Sequence, residues 1–262
     1  MTFSTVQFDM ADRVASVTLN RPDKRNALNA ELVADLHQAL RLGEADARTR
    51  VLILRGAGGT FSAGADLAYL QTIARNSPIE NAEDSMRLMR MLHAWKTCSK
   101  PTIAVVEGHA LAGGCGLAAT CDFILCSEEA QFGFTEVRIG FVPAVVARLL
   151  IDRIGKGKAT DLLLRGRIIS AGEARETGLV NEIVPKDRLS ARAGELAREI
   201  VEKTSPQAVA LTKELLRDID ALDLGDAMTY AAKINAFSRT TEDFKKGIAS
   251  FLEKKKIDWG DG

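Results

Sequence analysis

The chain has 262 residues, of which 46% are hydrophobic and 27% charged, and its 35 Lys+Arg balance 35 Asp+Glu to a formal net charge of zero. That length holds one large α/β domain or a main domain with a smaller appendage, and that composition excludes a disordered or collagen-like chain. A neutral molecule has no overall attraction for nucleic acid or an anionic membrane, so any anionic ligand must be held by local groups.

The first 13 residues carry Asp9 and Asp12 rather than a continuous apolar stretch, and no apolar run approaches the roughly 18 residues of a spanning helix. A soluble, cytoplasmic protein is expected. Cys98, Cys115, Cys121 and Cys126 lie among apolar residues without C-x-x-C spacing and read as reduced core thiols. His37, His93 and His109 form no HExxH or clustered ligand set, so no metal is expected.

In chain order, residues 5–10 and 13–20 alternate apolar side chains around Ala11-Asp12, as a β-hairpin does. Asn29 precedes Leu32, Val33, Leu36 and Leu40, whose spacing predicts an amphipathic helix with an Asn cap. Residues 51–55 and 102–106 are short apolar runs of the buried-strand type, each followed by a Gly-rich loop. Residues 123–126 read as another strand, and Pro143 as the first residue of a helix to about Ile154. Ser170 to Glu173 reads as a capping box with Gly178 as the helix stop. Beyond Pro185 no strand is predicted, and helices start near Leu189, Pro206, Leu224 and Thr241. The expected organisation is an α/β core over residues 1–188 and a helical C-terminal region over 189–262.

Two segments invite a ligand. Phe61-Ser62-Ala63-Gly64-Ala65-Asp66 follows a strand with small residues that let a ligand approach the backbone. Gly108 to Gly116 also follows a strand and opens a helix through about Thr120, whose free N–H groups can stabilise an anion without a charged side chain. Each segment alone reads equally well as a tight turn or close helix packing.

Together with Phe132-Gly133-Phe134-Thr135-Glu136-Val137-Arg138-Ile139-Gly140, with Leu19-Asn20-Arg21-Pro22, with Asn26-Ala27-Leu28-Asn29 and with Cys121-Asp122, they resemble the crotonase, or enoyl-CoA hydratase/isomerase, family from about residue 14 to 256. The resemblance implies a crotonase-like α/β spiral of ββα units with a C-terminal helical trimerisation region. It also implies an acyl-CoA thioester substrate, with no cofactor beyond the coenzyme A of that substrate, and a homotrimer or dimer of trimers. By position in the motifs, the N–H groups of Ala65 and Gly113 would hold the thioester oxygen as charge develops there, and Glu136 would be the catalytic acid/base. A carboxyl group among Phe132, Phe134, Val137 and Ile139 would have its pKa raised by desolvation. Lys24, Ala27, Leu28, Ala63, Asp66 and Leu67 match stretches lining the substrate site. Phe251 and Lys254 match positions that reach coenzyme A bound to a neighbouring subunit.

The departure is Gly116, where hydratases with two catalytic carboxylates carry the first. It implies a space there that admits water or a small anion. Hydration of 2-enoyl-CoA thioesters is the leading expectation, with methylglutaconyl-CoA as a candidate because Glu136 to Val145 resembles such hydratases. Single-glutamate isomerisation of 3-enoyl-CoA is the alternative, and a non-catalytic binding protein of the same fold is the reading from another class. Arg90 and Arg138 are candidates for a second substrate carboxylate, against plain surface positions. RNA binding is disfavoured by the zero net charge, and a Ser/His/Asp triad by the lack of Ser in the turn at Gly113.

Overall fold

The computed structural model describes residues 3–259. Strands β1 (Val6–Ala11) and β2 (Val14–Leu19) form the expected hairpin, turning at Asp12 and Arg13, both at positive φ. Helix α1 (Ala30–Ala45) follows, capped by the Asn29 side chain, which accepts from the Leu32 N–H at 2.9 Å. Then come β3 (Val51–Gly56), α2 (Leu67–Ile73), α3 (Pro78–Thr97), β4 (Thr102–Val106), β5 (His109–Leu111), α4 (Gly113–Thr120), β6 (Phe123–Ser127) and β7 (Gln131–Gly133). The rest comprises α5 (Ala144–Ile154), α6 (Lys156–Arg165), β8 (Ile168–Ser170), α7 (Ala171–Thr177), β9 (Glu182–Val184), α8 (Lys186–Lys203), α9 (Pro206–Asp218), α10 (Leu224–Ser238) and α11 (Glu242–Leu252).

The strands make two sheets. The larger has the order β1-β2-β3-β4-β6-β9 and is parallel beyond the hairpin. The smaller has the order β5-β7-β8, with β5 and β7 parallel. The apolar runs of β3 and β4 are buried on both faces, as parallel strands require. Leu52, Leu54, Ala104 and Val106 face the main core with α1, α3 and α4. Val51, Ile53, Ile103 and Val105 face the other way, onto Leu189, Ala193, Ala197 and Val201 of α8.

The C-terminal stretch is helical as predicted, but its first helix starts at Lys186 and covers a face of the sheet. Helices α9 to α11 bury no residue fully. Lys213 of α9 anchors them by pairing with Asp122, whose carboxylate also accepts from Thr102 N–H and hydroxyl at 2.8 and 2.9 Å.

Three local expectations shift. Pro143 caps α5 rather than beginning it. Ser170 caps α7 through the Glu173 N–H, but the Glu173 carboxylate turns to Arg167, so the box is half made. A complete box stands at Ser77 and Glu80, opening α3. The short strands β5, β7, β8 and β9 gave no periodic signal, since three residues are too few for alternation to register.

Asn26 decides how the early loop folds. It is fully buried at φ +53, and its side chain accepts from Arg21 N–H at 2.9 Å while donating to the carbonyls of Ala57 and Thr60 at 2.9 and 2.6 Å. Positive φ is tolerated by Asn better than by most side chains, and each buried group left unpaired costs about 1–3 kcal/mol. Asn26→Ala is therefore expected to lose about 3 kcal/mol or more of stability, read as a lower urea midpoint at unchanged m-value.

Candidate active site

The site is built where three chain segments run side by side in one direction. In the small sheet Leu111 of β5 lies opposite Gly133 of β7. An isolated parallel bridge between Ser62 and Ala110 adds a third segment on the other side of β5. Leu111 N–H donates to Ser62 O at 2.9 Å, Ser62 N–H to His109 O at 3.0 Å, and Ala112 N–H to Gly133 O at 2.7 Å. Because the segments share a direction, whatever follows each emerges on one rim. Ala65 follows the first, Gly113 the second and Glu136 the third.

Small residues permit this closeness. A Cβ on Gly114 would stand 2.6 Å from the Ser62 Cβ, and one on Gly64, at φ +90, would stand 2.8 Å from the Ala112 Cβ. Ala112 itself adopts φ +50, ψ −127, a costly region for a residue with a side chain, and its methyl lies against Gly64. Gly113 is the first residue of α4, where helical N–H groups have no intrahelical partner. Among the described residues neither the Gly113 nor the Ala65 N–H has an acceptor.

Glu136 opens a short 3-10 turn after β7 and is 7% exposed. Its Oε2 is buried without a hydrogen-bond partner. Burial raises its pKa above the ordinary glutamate value of 4.5, against a smaller opposing effect from its own backbone N–H. The wall is partly as expected. Phe132 and Phe134 are fully buried, whereas Val137 and Ile139 are 37% and 68% exposed and face outward, because a 3-10 turn sends successive side chains to different sides.

The position of Gly116 is not a vacancy. A Cβ there would stand 2.2 Å from Val146 Cγ1 and 2.9 Å from Val146 Cβ, with Gly116 and Val146 both buried. The α5 valine fills the room that a side chain on α4 would need. Where a space was expected from sequence, the room in the direction of a Gly116 side chain is taken by Val146.

The other candidates are distributed as follows. Ala27 and Leu28 are buried under the first loop, and Leu28 bridges Ala65 in parallel, with Leu28 N–H donating to Gly64 O at 2.7 Å and Asp66 N–H to Leu28 O at 2.9 Å. Ala63 N–H donates to Arg25 O at 3.0 Å. Lys24 is exposed on the 3-10 turn Pro22–Lys24, and Leu67 is 71% exposed at the start of α2. Asp66 caps α2 and pairs with Arg21 at 2.9 Å. Burial raises the Asp66 pKa, but hydrogen bonds from Arg21, Tyr69 and Ala68 outweigh it and hold the carboxyl below its ordinary value. Phe251 and Lys254 are exposed at the end of α11, which packs on α9, outside the row of three segments. Arg90 and Arg138 are exposed.

Sequence reasoning missed Arg21 and Val146. Arg21 grips both the Asp66 carboxylate and the Ala27 carbonyl, tying the first loop to the Ala65 loop. A cation beside Pro22 was the available signal, but its reach depends on the left-handed pair Arg25 and Asn26. Val146 looked like any apolar helix residue. No group of three or more His, Cys, Asp or Glu that could hold a metal ion occurs among the described residues, and no described helix is long and apolar enough to cross a membrane. Cys98, Cys115, Cys121 and Cys126 are buried, and burial pushes all four thiols up to about 12.

A buried carboxyl group on the same rim as two free peptide N–H groups is a site for moving protons on a substrate whose oxygen gathers charge. The sequence profile of the enoyl-CoA hydratase/isomerase family matches residues 9–262. A Thermus thermophilus protein that carries the name "Putative enoyl-CoA hydratase" is 46% identical over 92% of this chain and 95% of its own. A crotonyl-CoA hydratase of Syntrophomonas wolfei is 32% identical over 99% of both chains. The crystal structure of an enoyl-CoA hydratase from Shewanella pealeana superposes with a TM-score of 0.93 at 28% identity, covering 98% of this chain and 96% of the other. The chain belongs to the enoyl-CoA hydratase/isomerase family, and its fold is the crotonase fold.

The raised pKa of Glu136 carries a stability consequence. The folded carboxyl holds its proton more tightly than the unfolded one, so this group favours folding in full below the unfolded value of 4.5, and that contribution is lost as pH rises through the folded value. Glu136→Gln is expected to melt above the wild type at and above neutral pH, with the gap closing below pH 4.5. Thermal scans across pH check this.

Proposed function

We propose that the protein hydrates 2-enoyl-CoA thioesters, with the thioester oxygen between the Ala65 and Gly113 N–H groups and Glu136 as acid/base. The observation that carries the reading is the convergence of two acceptor-free N–H groups and one buried, unpartnered carboxyl oxygen on a single rim. The relatives named as enoyl-CoA and crotonyl-CoA hydratases support the reaction class.

Adding water across the double bond drives electron density onto the thioester oxygen. Donors already in place stabilise that charge without reorganising, and one such donor is commonly worth about 100–1000-fold in rate. Glu136 takes a proton from water as the new C–O bond forms at C3, and the carboxyl group returns a proton to C2, so atoms and charge balance. Burial raises its pKa above the ordinary glutamate value, which makes the carboxylate a stronger base for the first half of that exchange. Gly116 offers no second carboxylate, so in this reading Glu136 alone orients and deprotonates the water.

Isomerisation of 3-enoyl-CoA is the second reading, and the filled Gly116 position favours it. A single carboxyl can remove a proton from C2 and return it to C4 with nothing added. Methylglutaconyl-CoA remains a candidate substrate on the likeness of residues 136–145 alone. Lys24, Ala27, Leu28, Ala63, Asp66 and Leu67 belong to the same proposal as the lining of the coenzyme A site. Asp66 and the Ala27 carbonyl serve there by fixing the loop, since Arg21 occupies both.

A trimer, or a pair of trimers, is part of the proposal, as is a cytoplasmic location. Leu216, Leu224, Met228, Phe237 and Leu252 on the outer helices are all more than half exposed, which suits burial against further copies. In that arrangement Phe251 and Lys254 reach coenzyme A on a neighbouring subunit, with Lys254 supplying a cation to its phosphates.

Two outcomes are expected. Incubated with matched 2-enoyl- and 3-enoyl-CoA thioesters, the protein forms 3-hydroxyacyl-CoA from the former; Ala65→Pro, which deletes one donor, lowers turnover by about 100-fold or more with folding retained by circular dichroism. Wild-type turnover in that variant would remove Ala65 from the site. In sedimentation the active species is a trimer or a multiple of one, and Lys254→Ala raises the Kd for coenzyme A more than it lowers the rate at saturation.

A further inference from the structure

The contact between Gly116 and Val146 does more than fill space. Gly116 stands one helical turn beyond Gly113 on α4, so the two share a face. Ala112, the residue that caps α4, donates its N–H to Gly133 O at 2.7 Å, so the first turn of α4 adjoins the segment that leads to Glu136. Val146 sits in the first turn of α5, 3% exposed, with its Cγ1 in the position that a Gly116 side chain would take. An apolar methyl therefore occupies the α4 turn that borders the Glu136 segment, where a polar side chain could hold water. Valine is also stiff at χ1, so the methyl cannot swing aside without moving α5.

Resting on the functional reading above, we propose that Val146 is a specificity-determining residue: its side chain limits water beside Glu136 and so sets the partition between hydration and isomerisation. Hydration consumes a water, whose O–H bond breaks as the C3–O bond forms and a proton reaches C2. Isomerisation moves one proton from C2 to C4 through Glu136 and consumes none. A residue that controls only water acts on the first reaction and leaves the second nearly alone. A residue that merely packs α5 on α4 alters both by a common factor through the position of Glu136.

The test measures kcat for hydration of a short 2-enoyl-CoA and for isomerisation of the matched 3-enoyl-CoA in Val146→Ala and Val146→Thr. The alanine variant opens room next to Gly116. The threonine variant keeps the shape while adding a hydroxyl that can bind a water, so folding is preserved if the cavity proves too costly. Both are expected to raise the hydration-to-isomerisation ratio about 10-fold, equivalent to about 1.4 kcal/mol in relative barrier, with little change in KM for either thioester. An unchanged ratio in both folded variants, whatever the absolute rates, overturns the inference while leaving the functional reading in place. Turnover of neither thioester by the unaltered protein overturns both.

Discussion

Everything at this site depends on three backbone segments lying parallel and in register. The bonds from Leu111 to Ser62, from Ser62 to His109 and from Ala112 to Gly133 are ordinary peptide hydrogen bonds, each worth little alone. Their collective effect is geometric. They force three loops, which leave the core at widely separated points of the sequence, to turn at one rim, and they leave no room for side chains between those loops. The glycines at 64 and 114 and the strained alanine at 112 follow from that constraint. Glu136 is buried in a turn separated from the end of β7 by two residues.

The rest of the molecule holds this row still. The large sheet carries β4, the strand that leads into β5, and it is clamped between α8 on one face and α1, α3 and α4 on the other. Arg21 and Asn26 fasten the first loop to the Ala65 loop, and Lys213 fastens the outer helices to Asp122 immediately before β6. These are buried or half-buried polar contacts, whose removal leaves stranded partners. The outer helices have no comparable apolar anchoring, and their exposed faces are the least satisfied part of the structure.

What was legible in the sequence was whatever period and composition encode. The hairpin, the Asn29 cap, the two buried strands feeding glycine loops and the starts of α9 and α10 stand within a residue or so of where pattern placed them. Glu136, Ala65 and Gly113 were legible through their surrounding motifs, and the rim brings their segments together. The filling of position 116 was not legible. A glycine in a sequence shows that a side chain is missing and says nothing of what occupies its room, which here comes from a helix some thirty residues onward. The half-made box at Ser170 failed for a related reason: Glu173 had a competitor in Arg167 that local spacing does not reveal.

The two donors are peptide groups, and this changes what variation can do to them. An alanine scan passes over both, because replacing Ala65 or Gly113 by most residues keeps the N–H and perturbs only its surroundings. Nor do peptide N–H groups titrate in the physiological range, so in the proposed site their pull on a developing charge is the same in acid and in base. The chemistry proposed for the rim is thus divided between a part that pH can switch, held by one carboxyl, and a part stored in the path of the chain. Drift in sequence can retune the first at a single codon, while the second survives wherever the three segments still run side by side.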